Sequence, residues 1–138
     1  MQKKFLITGA AGFIGSHLAD FLLKQKNVSK LILLDNLEDG SLKNLKSALR
    51  SKKVKFFKRD IRNFNNIKNL FKDVNIVFHL AALSDVVPSI EEPLDYLNTN
   101  IMGTVNILEA MRLKKVKRII YSASSSCYGI PFRVPTSE

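Results

Sequence analysis

The apolar positions of the chain fall into short continuous runs separated by stretches in which they recur every three or four residues. This alternation predicts βαβ units built around a parallel sheet, and so an α/β fold. The first run, Phe5-Leu6-Ile7, is continuous rather than alternating, as a strand covered on both faces requires, and it is expected at the centre of the sheet. Ile14, Leu18, Phe21 and Leu22 then share one helical face. Further strands are expected at residues 31–34, 54–57 and 76–78, with helices at 42–49 and 64–71 between them. The longest helix is expected over 93–113, opening on Pro93, a favoured first-turn residue. Leu94, Leu97, Ile101, Val105, Leu108 and Met111 form one apolar face of it, and it feeds a fifth strand at 118–122. Gly103 in its middle weakens the helix by roughly 1 kcal/mol against Ala, which predicts close packing on a neighbouring element. No repeat, low-complexity segment or linker interrupts the pattern.

With 138 residues, 46% hydrophobic and 25% charged, the chain reads as one domain able to bury a core without metal or disulfide staples. The single cysteine, Cys127, has no intrachain partner and no Cys/His cluster is present, so no metal is expected and a reducing, cytoplasmic setting fits. Lys3 and Lys4 before an apolar stretch imitate a signal peptide, but regular glycines and the helical pattern that follows argue against one. No apolar run reaches the roughly 18 residues of a membrane span. The formal charge of +10 raises nucleic acid as a partner, yet the lysines are scattered along helices and turns, and none is expected.

Between the first strand and its helix lies Thr8-Gly9-Ala10-Ala11-Gly12-Phe13-Ile14-Gly15, a strand-to-helix turn with three glycines. Such a turn suits a pyrophosphate: it lets backbone approach the phosphates and aims free N–H groups and a positive helix end at them. The spacing is G-x-x-G-x-x-G rather than G-x-G-x-x-G, so a plain tight turn is the bland alternative. Asp35, directly after the second strand and 20 residues past Gly15, favours a dinucleotide, because a carboxylate there can accept both ribose hydrogen bonds. It also favours NAD over NADP, since a 2′-phosphate would meet like charge with no arginine clamp evident nearby.

At this point the chain resembles the extended short-chain dehydrogenase/reductase family, the nucleotide-sugar epimerases and dehydratases. Besides the glycine turn, the matching residues are Leu34-Asp35-Asn36-Leu37, Arg59-Asp60-Ile61, His79-Leu80-Ala81-Ala82, Asn100-Ile101-Met102-Gly103-Thr104 and Ser122-Ala123-Ser124-Ser125-Ser126-Cys127-Tyr128-Gly129. The resemblance implies a Rossmann-like, doubly wound sheet of about five strands forming one NAD-binding domain over 1–138. It implies that Gly9, Gly12, Phe13, Ile14, Gly15, Asp35 and Asn36 hold the cofactor. Asp60 would bond the adenine amino group while Ile61 packs on the ring, and Leu80, Ala81 and Ala82 would line the cofactor. Asn100 would order the active-site backbone, and Ser122 would sit near the nicotinamide. His79, inside a strand, is expected to be packed and hydrogen-bonded rather than catalytic, and His17 to serve the surface or packing.

The family's tyrosine and its lysine four residues later are absent: the residues four beyond Tyr96, Tyr121 and Tyr128 are Asn100, Ser125 and Phe132. The family places this pair beyond residue 138, so the chain reads as an N-terminal piece, inactive alone, of a parent enzyme. Its absent helix would leave one face of strands four and five uncovered. The resemblance makes Ser124 the hydroxyl that bonds the sugar's reacting oxygen. Family dehydratases follow that hydroxyl with Asp-Glu, where this chain has Ser125-Ser126, so an epimerase acting on a UDP-hexose is favoured. A dehydratase, decarboxylase, reductase or non-catalytic dinucleotide sensor is the alternative. Family dimers pack the long helix that ends near Leu113, so the parent is expected to be a homodimer.

Overall fold

Five parallel strands carry the fold in the computed structural model, which describes residues 2–124, 128–130 and 133–135. They are β1 (Lys3–Thr8), β2 (Val28–Asp35), β3 (Val54–Lys58), β4 (Ile76–His79) and β5 (Ile119–Tyr121), in the order β3-β2-β1-β4-β5. The order reverses between β1 and β4, the topological switch of a doubly wound, Rossmann-like sheet. As expected, β1 is central, and Leu6 and Ile7 on its opposite faces are wholly buried.

Helix α1 (Phe13–Leu23) covers one face, closing a core of Phe5, Ile7, Ala19, Leu22, Leu31 and Leu33. The other face packs Leu6, Ile32, Leu34 and Val77 against Ile67 of the short helix α2 (Phe64–Ile67) and Phe71 of the 3-10 turn after it. The helix expected at 42–49 is instead two 3-10 turns, Leu42–Leu45 and Ala48–Arg50. A short helix the periodicity did not reveal, α3 (Val86–Glu91), follows β4.

Residues 93–113 are helical throughout, but in three pieces: α4 (Pro93–Tyr96), a π-helical stretch (Leu97–Met102) and α5 (Gly103–Leu113). The face turned inward is Thr99, Gly103, Ile107, Ala110 and Met111. Of the apolar face read from the sequence only Met111 is buried, whereas Leu94, Leu97, Ile101, Val105 and Leu108 are exposed. Small residues explain the choice. A Cβ on Gly103 would stand 2.6 Å from Ile61 Cδ1, so the helix sits closer to the sheet on this side than a leucine face would permit. On the α1 side, Phe78 of β4 pairs in register with Ile120 of β5, which the described residues leave 52% exposed.

Parallel topology also corrects the picture of scattered lysines. Every strand begins at the same edge, so Lys4, Lys30, Lys55 and Lys72, far apart in sequence, become neighbours there, with Lys4 beside Lys30 in the β1–β2 register. Burial, and then Lys30, lower the Lys4 pKa, with Lys72 and Lys55 adding to the effect against Asp73. No helix among the described residues is long and apolar enough to cross a membrane.

Candidate functional site

The carboxyl ends of the strands open into a cleft at the switch between β1 and β4, where the glycine turn lies. Gly9 has φ +65°, and a Cβ there would stand 2.7 Å from the backbone nitrogen of Ala81. Gly15 is as constrained, since its Cβ would overlap the Gly9 carbonyl oxygen. These two glycines are therefore required by the chain's own packing. Gly12 is different: its nearest neighbour would be the Gly9 carbonyl oxygen at 3.4 Å, and its open side faces the cleft. It also caps α1, whose first turn has neither a side-chain cap nor an acidic residue, so its N–H groups are left for an anion.

The cleft has two arms that share Gly9, Gly12 and Leu80. The larger, about 620 Å³ when its solvent-open space is counted, runs out over β2 and β3, past Asp35, Asn36, Asp60 and Ile61, with Ala81 and Ala82 on its inner wall. The smaller runs toward β5 along Phe13, Ile14, Gly15 and Ser122. The structure thus gathers thirteen of the fifteen site residues expected from the sequence around one turn. Asn100 and Ser124 lie outside both linings. Asn100 acts on the inner wall, its Oδ1 accepting from Leu83 N at 2.8 Å and its Nδ2 donating to Leu83 O at 2.9 Å. Ser124 follows β5 two residues beyond Ser122; Ser125, Ser126 and Cys127 lie outside the described residues.

Asp35 is 8% exposed, and both its oxygens already work. Oδ2 accepts from Ala11 N at 2.9 Å, and Oδ1 accepts from Leu37 N at 2.7 Å, which holds Leu37 in the left-handed region at φ 64°. The loop after β2 folds back on the glycine turn through Ser41 N and Asn44 Nδ2, both donating to Ala11 O. Each Asp35 oxygen keeps a second lone pair for a ligand hydroxyl.

The rim holds more charge than the sequence suggested, and the expectation of no arginine nearby is corrected. Arg59 lines the larger arm, and Arg62 bonds both Asp60 oxygens and reaches Glu38, another lining residue. Burial pushes the Asp60 carboxyl up, but hydrogen bonds from Arg62 and Asn36 bring it below the ordinary range. Asp60 therefore presents an acceptor.

Sequence reasoning missed Thr99. It is 8% exposed, it lines the larger arm, and its Oγ1 is a buried side-chain atom without a partner among the described residues. It sits in the π-helical stretch, a geometry that often marks functional sites and that residue periodicity does not reveal. His79 is wholly buried between Thr8 and Thr104, and its pKa is lowered to about 4 by burial. His17 is exposed and bonds the Phe13 carbonyl. Among the described residues no three His, Cys, Asp or Glu side chains are grouped to hold a metal.

Comparison with known proteins matches residues 6–138 to the family model described as GDP-mannose 4,6 dehydratase. The UDP-glucose 4-epimerase of Yersinia enterocolitica is 39% identical over 96% of this chain and 40% of its own length. The dTDP-D-glucose 4,6-dehydratase of Dictyostelium discoideum is 40% identical over 92% of this chain and 30% of its own. Among solved structures, the UDP-glucose-4-epimerase of Stenotrophomonas maltophila with bound NAD and formylated UDP-arabinopyranose superposes with a TM-score of 0.88. It shares 29% identity and covers 98% of this chain and 41% of that one. The chain thus spans well under half the length of these relatives.

Proposed function

The chain belongs to the GDP-mannose 4,6 dehydratase family, the extended short-chain dehydrogenase/reductases that epimerise or dehydrate nucleotide sugars, and on that premise we propose that it is the NAD-binding part of a UDP-hexose 4-epimerase. The observation that carries the reading is the cleft itself. Gly12 is open toward it, Asp35 stands beside it at the end of β2, and the orphaned Thr99 hydroxyl lies in its wall. These groups fit a dinucleotide laid across the switch point. The uncapped end of α1 would hold the pyrophosphate, Asp35 and Asn36 the adenosine ribose, and Asp60 and Ile61 the adenine. The nicotinamide half would lie along Phe13, Ile14, Gly15 and Ser122. When bound, NAD supplies a reversible hydride acceptor.

Leu80, Ala81 and Ala82 give the cofactor a close, largely apolar wall, and Asn100 keeps that wall in place through Leu83. Ser124 is assigned the hydrogen bond to the sugar's reacting oxygen. Epimerisation is preferred over dehydration because Ser125-Ser126 supplies no acid/base pair for removing water. The 40% identity to a dehydratase keeps dehydration as the second reading. These 138 residues contain no Tyr-x-x-x-Lys, so we expect them to bind NAD without turning over sugar.

The exposed Leu94, Leu97, Ile101, Val105 and Leu108 form an apolar stripe that suits a second copy of the chain, and a homodimer is part of the proposal. The test is to incubate the longest reading frame containing this chain with UDP-galactose. Appearance of UDP-glucose without net cofactor consumption supports the epimerase, a 4-keto-6-deoxy sugar product supports the dehydratase, and net oxidation of reduced cofactor would overturn both.

A further inference from the structure

The outer arm of the cleft keeps an arginine occupied. Arg62 Nε lies 3.0 and 2.9 Å from the two Asp60 oxygens, and its NH2 is 2.6 Å from Asp60 Oδ2 and 3.0 Å from Glu38 Oε2. Glu38 is itself held for this contact, because Asn36 Nδ2 donates to Glu38 Oε2 at 2.8 Å while Asn36 Oδ1 accepts from Glu38 N at 3.1 Å. Glu38, Asp35 and Asp39 line the same arm, on the segment that follows β2. A ribose bonded to Asp35 directs any 2′ substituent toward this segment, and an enzyme that takes NADP accommodates the 2′-phosphate with a nearby arginine. Arg62 is such a cation, but its charge is shared between two carboxylates. Arg59, the cation that lines this arm itself, donates from its NH1 to the Lys58 carbonyl at 2.9 Å.

We propose that Glu38 is a second determinant of cofactor choice beside Asp35: by pairing with Arg62 it both adds negative charge where a 2′-phosphate would lie and withholds the guanidinium that would neutralise that phosphate. The inference rests on the reading that the cleft holds a dinucleotide with its adenosine ribose at Asp35. It goes further by assigning discrimination to an ion pair formed between the loops after β2 and β3. Glu38 and Arg62 are both solvent-accessible side chains, 49% and 33% exposed, so exchanging them leaves the core intact.

The test is calorimetric titration of the protein, freed of bound nucleotide, with NAD and with NADP. Four forms are compared: wild type, Glu38→Gln, Arg62→Ala and the double variant. The expected result is that Glu38→Gln narrows the preference for NAD at least tenfold by tightening NADP. Adding Arg62→Ala should restore more than half of the lost preference, because the freed arginine has then been removed. A preference unchanged within twofold in Glu38→Gln overturns the proposal. So does a double variant that behaves like Glu38→Gln alone, since removal of charge would then explain everything. A folded wild-type protein that binds neither dinucleotide would instead overturn the cofactor reading on which the proposal stands.

Discussion

Thr8 Oγ1 lies 2.7 Å from His79 Nδ1, joining the end of the central strand to the end of β4 in a fully buried contact. The surrounding bonds favour one direction for its proton. Thr8 Oγ1 accepts from Ala81 N, and from Leu80 N in a bond that Leu80 N shares with the Thr8 carbonyl, which directs the hydroxyl hydrogen to His79 Nδ1. His79 is thus the Nε2–H tautomer and donates to Thr104 Oγ1 at 2.9 Å, and Thr104 in turn donates to the Asn100 carbonyl at 2.6 Å. One chain of hydrogen bonds therefore runs from β1 through β4 to the π-helical stretch and sets the wall of the cleft.

Thr8→Val keeps the shape but leaves His79 Nδ1 and the Ala81 N–H buried without partners. The expected loss of stability is about 3 kcal/mol, read from urea unfolding. A loss below about 1 kcal/mol would mean that the bridge is incidental.

The same histidine makes stability depend on pH. Its folded pKa of about 4 lies below the ordinary 6.5, so the unfolded chain binds the proton more readily between those values. The contribution is complete above about pH 6.5 and is lost as the pH falls toward 4, by roughly 3 kcal/mol in all. In His79→Gln this segment of the pH–stability curve should flatten; an unchanged slope would assign it to other groups.

Gly9 and Gly12 of the turn should separate by their effects. Gly9→Ala forces a side chain into the left-handed region and against Ala81, and should destabilise the fold by roughly 1–3 kcal/mol as well as abolish NAD binding. Gly12→Ala meets nothing closer than 3.4 Å among the described residues, so the melting temperature should fall only by a few degrees, the cost of Ala at a helix N-cap, while NAD affinity falls at least tenfold. Equal loss of stability in both variants would show that Gly12 too serves packing.

Gly103→Ala tests whether the long helix shapes the adenine side of the cleft. The new methyl would meet the end of the Ile61 side chain, a residue that also lines the cleft. Better helix propensity of about 1 kcal/mol offsets part of the crowding, so a net loss near 1 kcal/mol is expected. NAD affinity should weaken several-fold in the same titration, and unaltered affinity would detach Ile61 from the cofactor.

The basic edge at the start of the strands should make the protein more stable in salt. Lys30, Lys72 and Lys55 each repel the half-buried Lys4, only partly offset by Asp73, and the screening length shortens to about 10 Å at 0.1 M. Thermal unfolding at 20 and at 300 mM sodium chloride should show a rise of a few degrees. A flat or falling trend would show that the repulsion is already relieved.

The sequence by itself determined the alternation of strands and helices, the central place of β1 and the glycine turn with Asp35 beside it. Each depends on neighbours along the chain: a continuous apolar run, missing Cβ atoms before a helix, and a carboxylate at a strand end. Its periodicity also marked the Leu94–Leu108 face of the long helix as apolar, but apolarity does not say which of two faces meets the sheet. That was decided by fit, since Gly103 allows the close approach over Ile61 that a leucine face would block. The unpartnered Thr99 hydroxyl, the Arg62–Glu38 pair and the clustered lysines were likewise invisible, because they join residues that only parallel strand order and a π-helical turn bring together. Local patterning fixed where the strands and the main helices fall, and the geometry of packing fixed which side chains face the cleft.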